Sequence, residues 1–477
     1  MTDPLFEFDI RRFPPIRGAC VVGGSVRDVL AGRPCRDWDL VVLNDAEGFS
    51  RKLARTFPGQ TGKIARISKP GFEVFRVWSK GVSYDVSEAK GGSIAHDLAQ
   101  RDFTVNAMAW LPDEKKLIDP LGGRDDLKAR VLRMASDRAF KDDPVRLARA
   151  FRISGELGLS IEPETRRSIS RHAALIRASA PERVREELLM TLSVPDAAPL
   201  IERMADAGLL FEIFPELSPL RGCLQNRHHR FDVWGHTLAA FGALDAILKN
   251  PGDFFPGREA DIQEYFKKGR PALLKCAMLL HDTGKPASRS VDEKGGAHFY
   301  GHEKKGARMA RAALVRLRFS NRRIDWAAGL IRDHLKPLFL FIHSLRSRRP
   351  GGLSAKSKNR FFLKAGASSP ALLIHASADI LGKGPGRDEK NRAFVAFAGE
   401  MMAEYFDGFV PKSARPPLLT GHDLIREFNL APSPVLGEIL SMIHEKRLSA
   451  PLSRDQALEM AARFLKDREK GPGKKGP

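Results

Sequence analysis

Cysteine is scarce in this chain of 477 residues: Cys20, Cys35, Cys223 and Cys276 stand far apart, with no C-x-x-C pair. That spacing argues against a zinc knuckle and against a fold built on disulfides, and leaves four incidental thiols. No apolar run reaches the roughly 18 residues a membrane helix needs. No basic amphipathic helix flanked by Trp and Phe favours a lipid surface either. The opening MTDPLFEFDIRRFPP has acids where a secretory signal would carry its basic patch and apolar core, so a cytoplasmic protein without membrane association is expected. Repeats of fixed period are absent, which removes solenoids and propellers. Acids are in deficit too. Lys and Arg number 79 against 58 Asp and Glu, a formal charge of +21, and the pI is near 10.0. Such a surface favours a polyanion through counterion release and steering. What is present, 43% hydrophobic and 29% charged residues, is the composition of a folded protein, long enough for about three domains.

Segment 17–45 reads as strand, glycine turn, helix and strand: GACVVGG, SVRDVLAG, then DWDLVVL with its β-branched run. FEVFRV (Phe72–Val77), VSYDV (Val82–Val86) and a piece near Lys116–Ile118 add strands to a small mixed sheet. From about Arg124 the pattern turns to helices with polar or proline breaks, as in DDPVRLARAFRISGELG and PERVREELLMTL, with Gly158 and Pro181 as stops. Helices continue to about Leu465, interrupted at FFPG and GKGPGR. The last residues, KDREKGPGKKGP, are too polar and too rich in Gly, Pro and Lys to fold.

Chemistry concentrates first in VVGGSVRD (Val21–Asp28) and DWDL (Asp37–Leu40). A strand that runs into Gly23 and Gly24 and then a helix offers free backbone N–H groups, unobstructed by Cβ atoms, to a phosphate. Asp37 and Asp39 are two apart on a strand, so both carboxylates face one side. Two carboxylates beside a phosphate cradle are what Mg²⁺ needs for phosphoryl or nucleotidyl transfer. The bland alternative is a glycine turn and two solvated aspartates; the ordered pair of pieces argues for chemistry. Asp85, in SYDVS, reads equally as a third acid near the metals or as a strand-end residue.

These pieces, followed by DLAQRDFTVNAMAW (Asp97–Trp110), DPLGGRDDL (Asp119–Leu127) and DDPVRLARAFR (Asp142–Arg152), resemble in order the motifs of the class II tRNA nucleotidyltransferase and poly(A) polymerase superfamily. The resemblance resumes in FPEL, DVWGHTL and PLLTGHDLIREFNLAPSPVLGEIL (Pro417–Leu440) and so covers nearly the whole chain. It implies an α+β protein: a polymerase-β-type nucleotidyltransferase head, a small mixed sheet with helices, followed by an elongated all-α neck, HD domain and tail. The expected division is head 1–123, neck 124–230 for base recognition and tRNA binding, HD domain 231–385, helical tail 386–465 and disordered basic tail 466–477. It further implies Asp37 and Asp39 as catalytic ligands of two Mg²⁺, nucleotide binding by Gly23, Gly24, Arg27 and Arg101, and ribose sensing by Asp102 and Asn106. Asp143 and Arg146, i and i+3 on an expected helix, would project side by side as the base reader. Cytosine and adenine each present an amine beside a bare ring nitrogen, which suits a carboxylate next to a guanidinium; guanine and uracil reverse the pattern. The plain alternative is a surface ion pair. Gln100 stands where the family has an arginine, and Asp142 where it has a glutamate.

A second set, His236, His281-Asp282 (LLHDTGKP), His302, His334 and Asp379, follows the order of an HD-type metal phosphohydrolase. Imidazole and carboxylate donors suit a transition metal such as Ni, Mn or Co, and a bound metal would activate water against a phosphoester such as a 2′,3′-cyclic phosphate. His302 and His334 taken alone also read as satisfied polar residues. His96-Asp97 is a lookalike that belongs to the head pattern, and His228-His229 reads as loop. Between Asp333 and Asp379 no acid occurs, while Arg346, Arg348, Arg349, Lys356, Lys358 and Arg360 accumulate beside Phe361 and Phe362. This stretch reads either as a track for RNA backbone or as solvated loop, with the phenylalanines more suited to a core. The expectation is a CCA tRNA nucleotidyltransferase that uses CTP and ATP on tRNA and releases pyrophosphate. The alternatives are a poly(A) polymerase, against which the HD set argues, an enzyme adding only CC or only A, and an HD-type nucleotide phosphohydrolase.

Overall fold

The computed structural model describes residues 13–14, 16–57, 63–69, 72–225, 230–267, 270–347, 352–384 and 388–469. It divides into two compact units, Met1–Pro215 and Glu216–Pro477. The four cysteines are free thiols.

Unit 1 opens with β1 (Cys20–Val22), α1 (Gly24–Leu30), β2 (Asp37–Val42), α2 (Ala46–Thr56), β3 (Lys63–Lys69), β4 (Phe72–Ser79), β5 (Val82–Glu88), α3 (Ile94–Ala99), β6 (Ala109–Leu111) and β7 (Lys116–Ile118). The strands form one sheet in the order β3-β4-β5-β2-β1-β6-β7. Strand β2 runs parallel to β5 and sets Asp39 opposite Asp85; β4 runs antiparallel to β5 and sets Arg76 opposite Asp85. The period of two then sorts the faces. Phe75, Val77, Tyr84, Val86, Trp38 and Leu40 are buried on the face that α2 covers, while Asp37, Asp39, Asp85 and Arg76 share the other. Helices follow: α4 (Gly123–Lys128), α5 (Ala139–Asp142), α6 (Arg146–Leu157), α7 (Pro163–His172), α8 (Pro181–Ser193), α9 (Ala198–Asp206) and α10 (Leu209–Ile213), with a two-residue pairing of β8 (Val131–Leu132) and β9 (Ser160–Ile161). Gly158 ends α6 in the left-handed region, and Pro181 begins α8 rather than ending its predecessor.

Unit 2 is helical apart from the hairpin of β10 (Ser290–Val291) and β11 (Ala297–His298). Its helices are α11 (Val233–Lys249), α12 (Pro251–Phe254), α13 (Glu259–Phe266), α14 (Arg270–Leu280), α15 (Lys285–Ser288), α16 (His302–Arg316), α17 (Asn321–Asp333), α18 (Lys336–Arg346), α19 (Ala355–Ala365) and α20 (Ser369–Leu381). They continue with α21 (Asp388–Ala403), α22 (Val410–Ser413), α23 (Gly421–Phe428), α24 (Pro434–Ser449) and α25 (Arg454–Glu469). Helix α20 is the axis of this unit: every residue from Ser369 to Ile380 is buried, with α11, α14, α17 and α21 around it. Helices α23 to α25 close a separate core on Leu424, Ile439, Ile443, Ala457 and Ala461. One expectation needs correction here. The chain does not stop folding at Leu465, because α25 continues to Glu469, where Arg468 pairs with Glu438 of α24 at 2.7 Å. The rest of the basic tail lies outside the described residues.

Candidate active sites

The carboxylate face of the head is assembled from α1 and the three strands β2, β4 and β5. Ser25, buried at the start of α1, accepts from the backbone N–H of Asp39 (2.9 Å) and donates to the carbonyl of Asp37 (3.1 Å), tying helix to strand. Ser83 of β5 donates to Asp37 Oδ1, and Asp85 is held by both nitrogens of Arg76 at 2.5 Å. Asp85 therefore sits in mid-strand beside the pair, engaged by a cation. Asp39 is half-buried, and its carboxyl is pushed up to about 6: burial raises it, Arg101 and Arg27 oppose, and Asp85 and Asp37 raise it further. Three carboxylates on one face, one of them held against ionisation chiefly by burial, fit a divalent cation. The glycine turn departs from expectation. The N–H of Gly23 donates to the carbonyl of Met108 (3.1 Å), so it is not free for phosphate. Gly23 has φ 71, and a Cβ there would overlap the Arg101 guanidinium and lie 3.6 Å from Asp39 Oδ2. Glycine is thus required for the approach of Arg101, which brings its charge, steadied by Asp97 at 2.8 Å, to the carboxylates.

Behind this face lies a buried polar network. Asp102 Oδ1 accepts from Asn106 Nδ2 (2.9 Å) and from the Phe103 N–H (2.8 Å), and Arg27 donates to Asn106 Oδ1 (2.7 Å). Asp102 and Asn106 do meet, across a short 3₁₀ turn (Thr104–Asn106) rather than an α-helix. Arg149 joins Asp102 (3.1 Å) to Glu187 of α8 (2.8 Å), and Arg152 reaches the other oxygen of Glu187 (2.6 Å). Asp119 caps α4 through the N–H groups of Gly123 and Arg124, so the DPLGG motif is structural. Asp102 lies below the usual carboxylate range: burial pushes it up, and Arg149, Asn106 and Arg146 outweigh that. Its contribution to stability is present above the unfolded value of about 3.9 and is lost as pH falls through the lower folded value. Asp102→Asn should therefore cost about 2 kcal/mol at pH 7, and thermal unfolding curves of variant and parent should begin to draw together as pH falls below about 4. A gap that does not narrow at all as pH falls below about 4 would assign Asp102's contribution to packing.

The expected side-by-side pair of Asp143 and Arg146 is corrected by the structure. Helix α6 starts at Arg146, and Asp143 has an extended backbone after α5, because Pro144 disfavours helix at the residue before it. Asp143 is gripped instead by Arg183 of α8, at 2.9 Å and 2.7 Å, which with Arg146 and Arg149 holds its carboxyl low against burial. Arg146 donates to the carbonyls of Gln100 (2.9 Å) and Ala139 (3.2 Å), while its Nε–H has no partner. Arg183 and Glu187 carried no signal in the sequence beyond lying on one helix.

In unit 2 all six candidate ligands converge. Asp232 caps α11 through the Gly235 N–H (2.7 Å) and aims His236 inward. His281-Asp282 directly follows α14, His302 starts α16, His334 directly follows α17, and Asp379 lies on α20. Gly284 in the TGK turn is required by close approach, since a Cβ there would overlap the His302 carbonyl and the Gly306 backbone nitrogen. His236, His281, His302 and His334 each direct Nδ1–H at a backbone carbonyl, of Gly382, Met278, Phe299 and Ile331, at 3.1, 2.7, 2.7 and 2.6 Å. That orients each ring and turns every Nε2 to the centre, where His236 Nε2 meets Asp379 Oδ1 at 2.9 Å, as in metal-binding histidines. His236, His281 and Asp379 form one group, Asp282, His302 and His334 another, with donor atoms within 4.8 Å of one another in each. Asp282 addresses both, with Oδ2 3.2 Å from His281 Nε2 and Oδ1 3.5 Å from His302 Nε2. Lys285 stands 2.6 Å from Asp282 and 2.7 Å from Gln225. Buried His281 Nε2, His302 Nε2 and Asp282 Oδ1 have no hydrogen-bond partner, so the donor set fits cations that would satisfy them. Burial lowers His281, but Asp282 and Asp379 lift it to about 10, whereas burial and His281 press His334 down to about 4. His375, four residues before Asp379, also enters this cluster and was missed. His96 is exposed in the head and outside the cluster, as expected; His228 and His229 lie outside the described residues.

The basic stretch is less free than its sequence suggests. Lys358 lies 3.6 Å from Glu404 and Arg360 3.6 Å from Glu445, acids supplied by other elements. Phe361 and Phe362 are core residues, Phe362 beside Tyr405 and Phe409. Lys356 and Arg346 are exposed, and Arg348 and Arg349 lie outside the described residues. An open cavity of about 380 Å³ between α18 and α19 is lined by Lys336, His343, Lys356, Arg360 and Lys364 with Phe339.

Three family models match this chain: the poly A polymerase head domain over residues 19–133, the probable RNA and SrmB-binding site of polymerase A over 158–220, and the HD domain over 233–380. It is 33% identical to the A-adding tRNA nucleotidyltransferase of Deinococcus radiodurans, over 91% of this chain and 92% of that one. It is 30% identical to the CC-adding tRNA nucleotidyltransferase of Thermus thermophilus, over 90% and 89% of the two chains. In fold it resembles the Thermotoga maritima CCA-adding enzyme complexed with tRNA, with a TM-score of 0.60 at 22% identity over 94% of this chain and 91% of that one.

Proposed function

This chain belongs to the tRNA nucleotidyltransferases that carry a poly(A) polymerase head and an HD domain, and on that premise we propose that it adds C, C and A to tRNA 3′ ends. The observation that carries this reading is the pairing of Asp37 and Asp39 on one sheet face beside Arg101 and Gly23. Asp37 and Asp39 would hold Mg²⁺; bound there, the ions supply activation of the RNA 3′-hydroxyl and neutralise the departing pyrophosphate. Arg101 and Arg27 face the triphosphate, with Gly23 and Gly24 leaving the approach open. Asp102 and Asn106 set the ribose pocket. Asp143, anchored by Arg183, keeps lone pairs for the amine of cytosine or adenine, and the Arg146 guanidinium is the donor for the ring nitrogen. Residues 1–123 act as head, 124–230 as neck, 231–385 as HD domain and 386–469 as helical tail. Exposed Lys356 and Arg346 are suited to phosphate contacts, with Arg348, Arg349, Lys358 and Arg360 as weaker candidates. For the HD site we propose metal-dependent phosphoester hydrolysis, with Lys285 steadying Asp282 and the transition metals Mn, Co or Ni as occupants.

A second reading, addition of CC alone or A alone, is favoured by likeness to A-adding and CC-adding relatives over nine-tenths of the chain. Transcripts of tRNA ending before CCA, after C and after CC, each supplied with CTP and ATP, separate these. A full CCA enzyme completes all three; an A-only enzyme extends only the last, and a CC-only enzyme leaves the last unextended. In the same assay Asp143→Ala should raise UTP or GTP incorporation relative to CTP and ATP by about 10-fold or more. An equal fall for all four nucleotides would make Asp143 structural.

A further inference from the structure

His375 has no counterpart among the ligands expected from the HD pattern, yet it is wholly buried in mid-α20, one turn before Asp379. Neither of its ring nitrogens has a hydrogen-bond partner. That distinguishes it from His236, His281, His302 and His334, whose Nδ1 atoms all rest on carbonyls. Burying a polar ring unpaired costs about 1–3 kcal/mol, and an apolar side chain of the same size in so apolar a helix would avoid the cost. The position of the ring gives the reason. Its centroid lies 5.5 Å from that of His281 and 6.0 Å from that of His334, one member of each donor group. The proposed ligands have nearly the same mutual spacing: 5.6 Å for His236 and His281, 5.4 Å for His281 and His334, 5.3 Å for His302 and His334.

We propose that His375 is a further nitrogen donor of this centre, placed where the two donor groups meet. The inference rests on the HD site being a metal centre. It makes the donor set five imidazoles and two carboxylates, a composition that selects Mn, Fe, Co, Ni or Zn over Mg.

Cobalt(II) tests this on the full-length protein, stripped by chelator and reloaded. Removing the imidazole in His375→Phe should weaken binding of one cobalt by about 10–100-fold, the range seen even for outer partners of a metal site, and should change the visible d–d absorption. In His375→Ala, free imidazole should restore both. Parent-like affinity and spectrum in a folded His375→Phe protein would overturn the proposal. Should both variants fail to fold by circular dichroism, the parent alone decides. Its cobalt form, labelled with ¹⁵N-histidine, should show five hyperfine-shifted imidazole N–H resonances, and four would overturn the assignment. A parent that binds no cobalt at all would remove the metal reading of the site and His375's role together.

Discussion

Asp39→Ala is expected to lower nucleotide addition by about a thousandfold or more and to raise, not lower, the melting temperature of the head. Both outcomes come from one physical fact. Asp39 is placed where burial and the carboxylates of Asp85 and Asp37 oppose its ionisation, which lifts it to about 6. A carboxyl whose folded value exceeds its unfolded value of about 3.9 subtracts stability at pH 7; that penalty fades as pH falls through about 6 and is gone below about 4. The charge is costly to the fold and useful only to a cation that serves the transition state. Thermal unfolding and tRNA binding measured beside single-turnover CTP incorporation check the two halves separately. A variant that adds nucleotides near the parent rate would sink the assignment of Asp39 as a metal ligand. Asp37→Ala should lose activity similarly, but it strips Ser83 of its acceptor, so its stability should not rise.

Contiguous motifs made most of the head legible before any coordinates. The two-residue spacing of Asp37 and Asp39 is enough to put them on one face of a strand, and the glycines before α1 announce a close approach. What approaches was not legible. Arg101 reaches Gly23 only because α3 and the following turn fold back on the sheet, and the Gly23 N–H is consumed by Met108, 85 positions onward. The helical placement of Asp143 failed in the opposite direction. An i, i+3 spacing presumes a helix, and the intervening Pro144 breaks it, while the true partner of Asp143 stands 40 residues away on α8. Strand β3, KIARISK, has too few apolar residues to announce itself and is held by its ladder with β4. The basic stretch misled because charge balance is a property of surfaces, and Glu404 and Glu445 arrive from elsewhere in the chain.

The HD set was legible because its order of His, His-Asp, His, His and Asp survives insertions between helices. His375 was not, although its distance of four from Asp379 is the signal for a shared helical face. A histidine among LLI and ASA looks like an isolated core residue until α20 is seen to run through the centre of its unit. The inward turn of these imidazoles is a three-dimensional property as well, since each depends on a backbone carbonyl beside its ring.

Changing His281 and Asp282 together to alanine should abolish metal binding and phosphoester hydrolysis while tRNA nucleotide addition persists. Asp282 is the one carboxylate that touches both donor groups, so its loss disconnects them rather than trimming one ligand. It also strands Lys285, which is buried and would retain neutral partners, Gln225 and the Phe299 ring, in place of the carboxylate. An unpaired buried ammonium costs several kcal/mol, so unit 2 of the double variant should melt earlier, and Asp282→Asn, which keeps shape, is the matched control. Metal content by mass spectrometry and hydrolysis of 2′,3′-cyclic AMP under Mn, Co, Ni and Mg report on the HD site; CTP and ATP incorporation report on the head. If the parent holds no transition metal and cleaves no phosphoester, the cluster is an inherited helical scaffold. If the matched Asn variant, folded and metal-free, loses nucleotide addition as well, unit 2 supports the tRNA through this site, and the two activities are not separable.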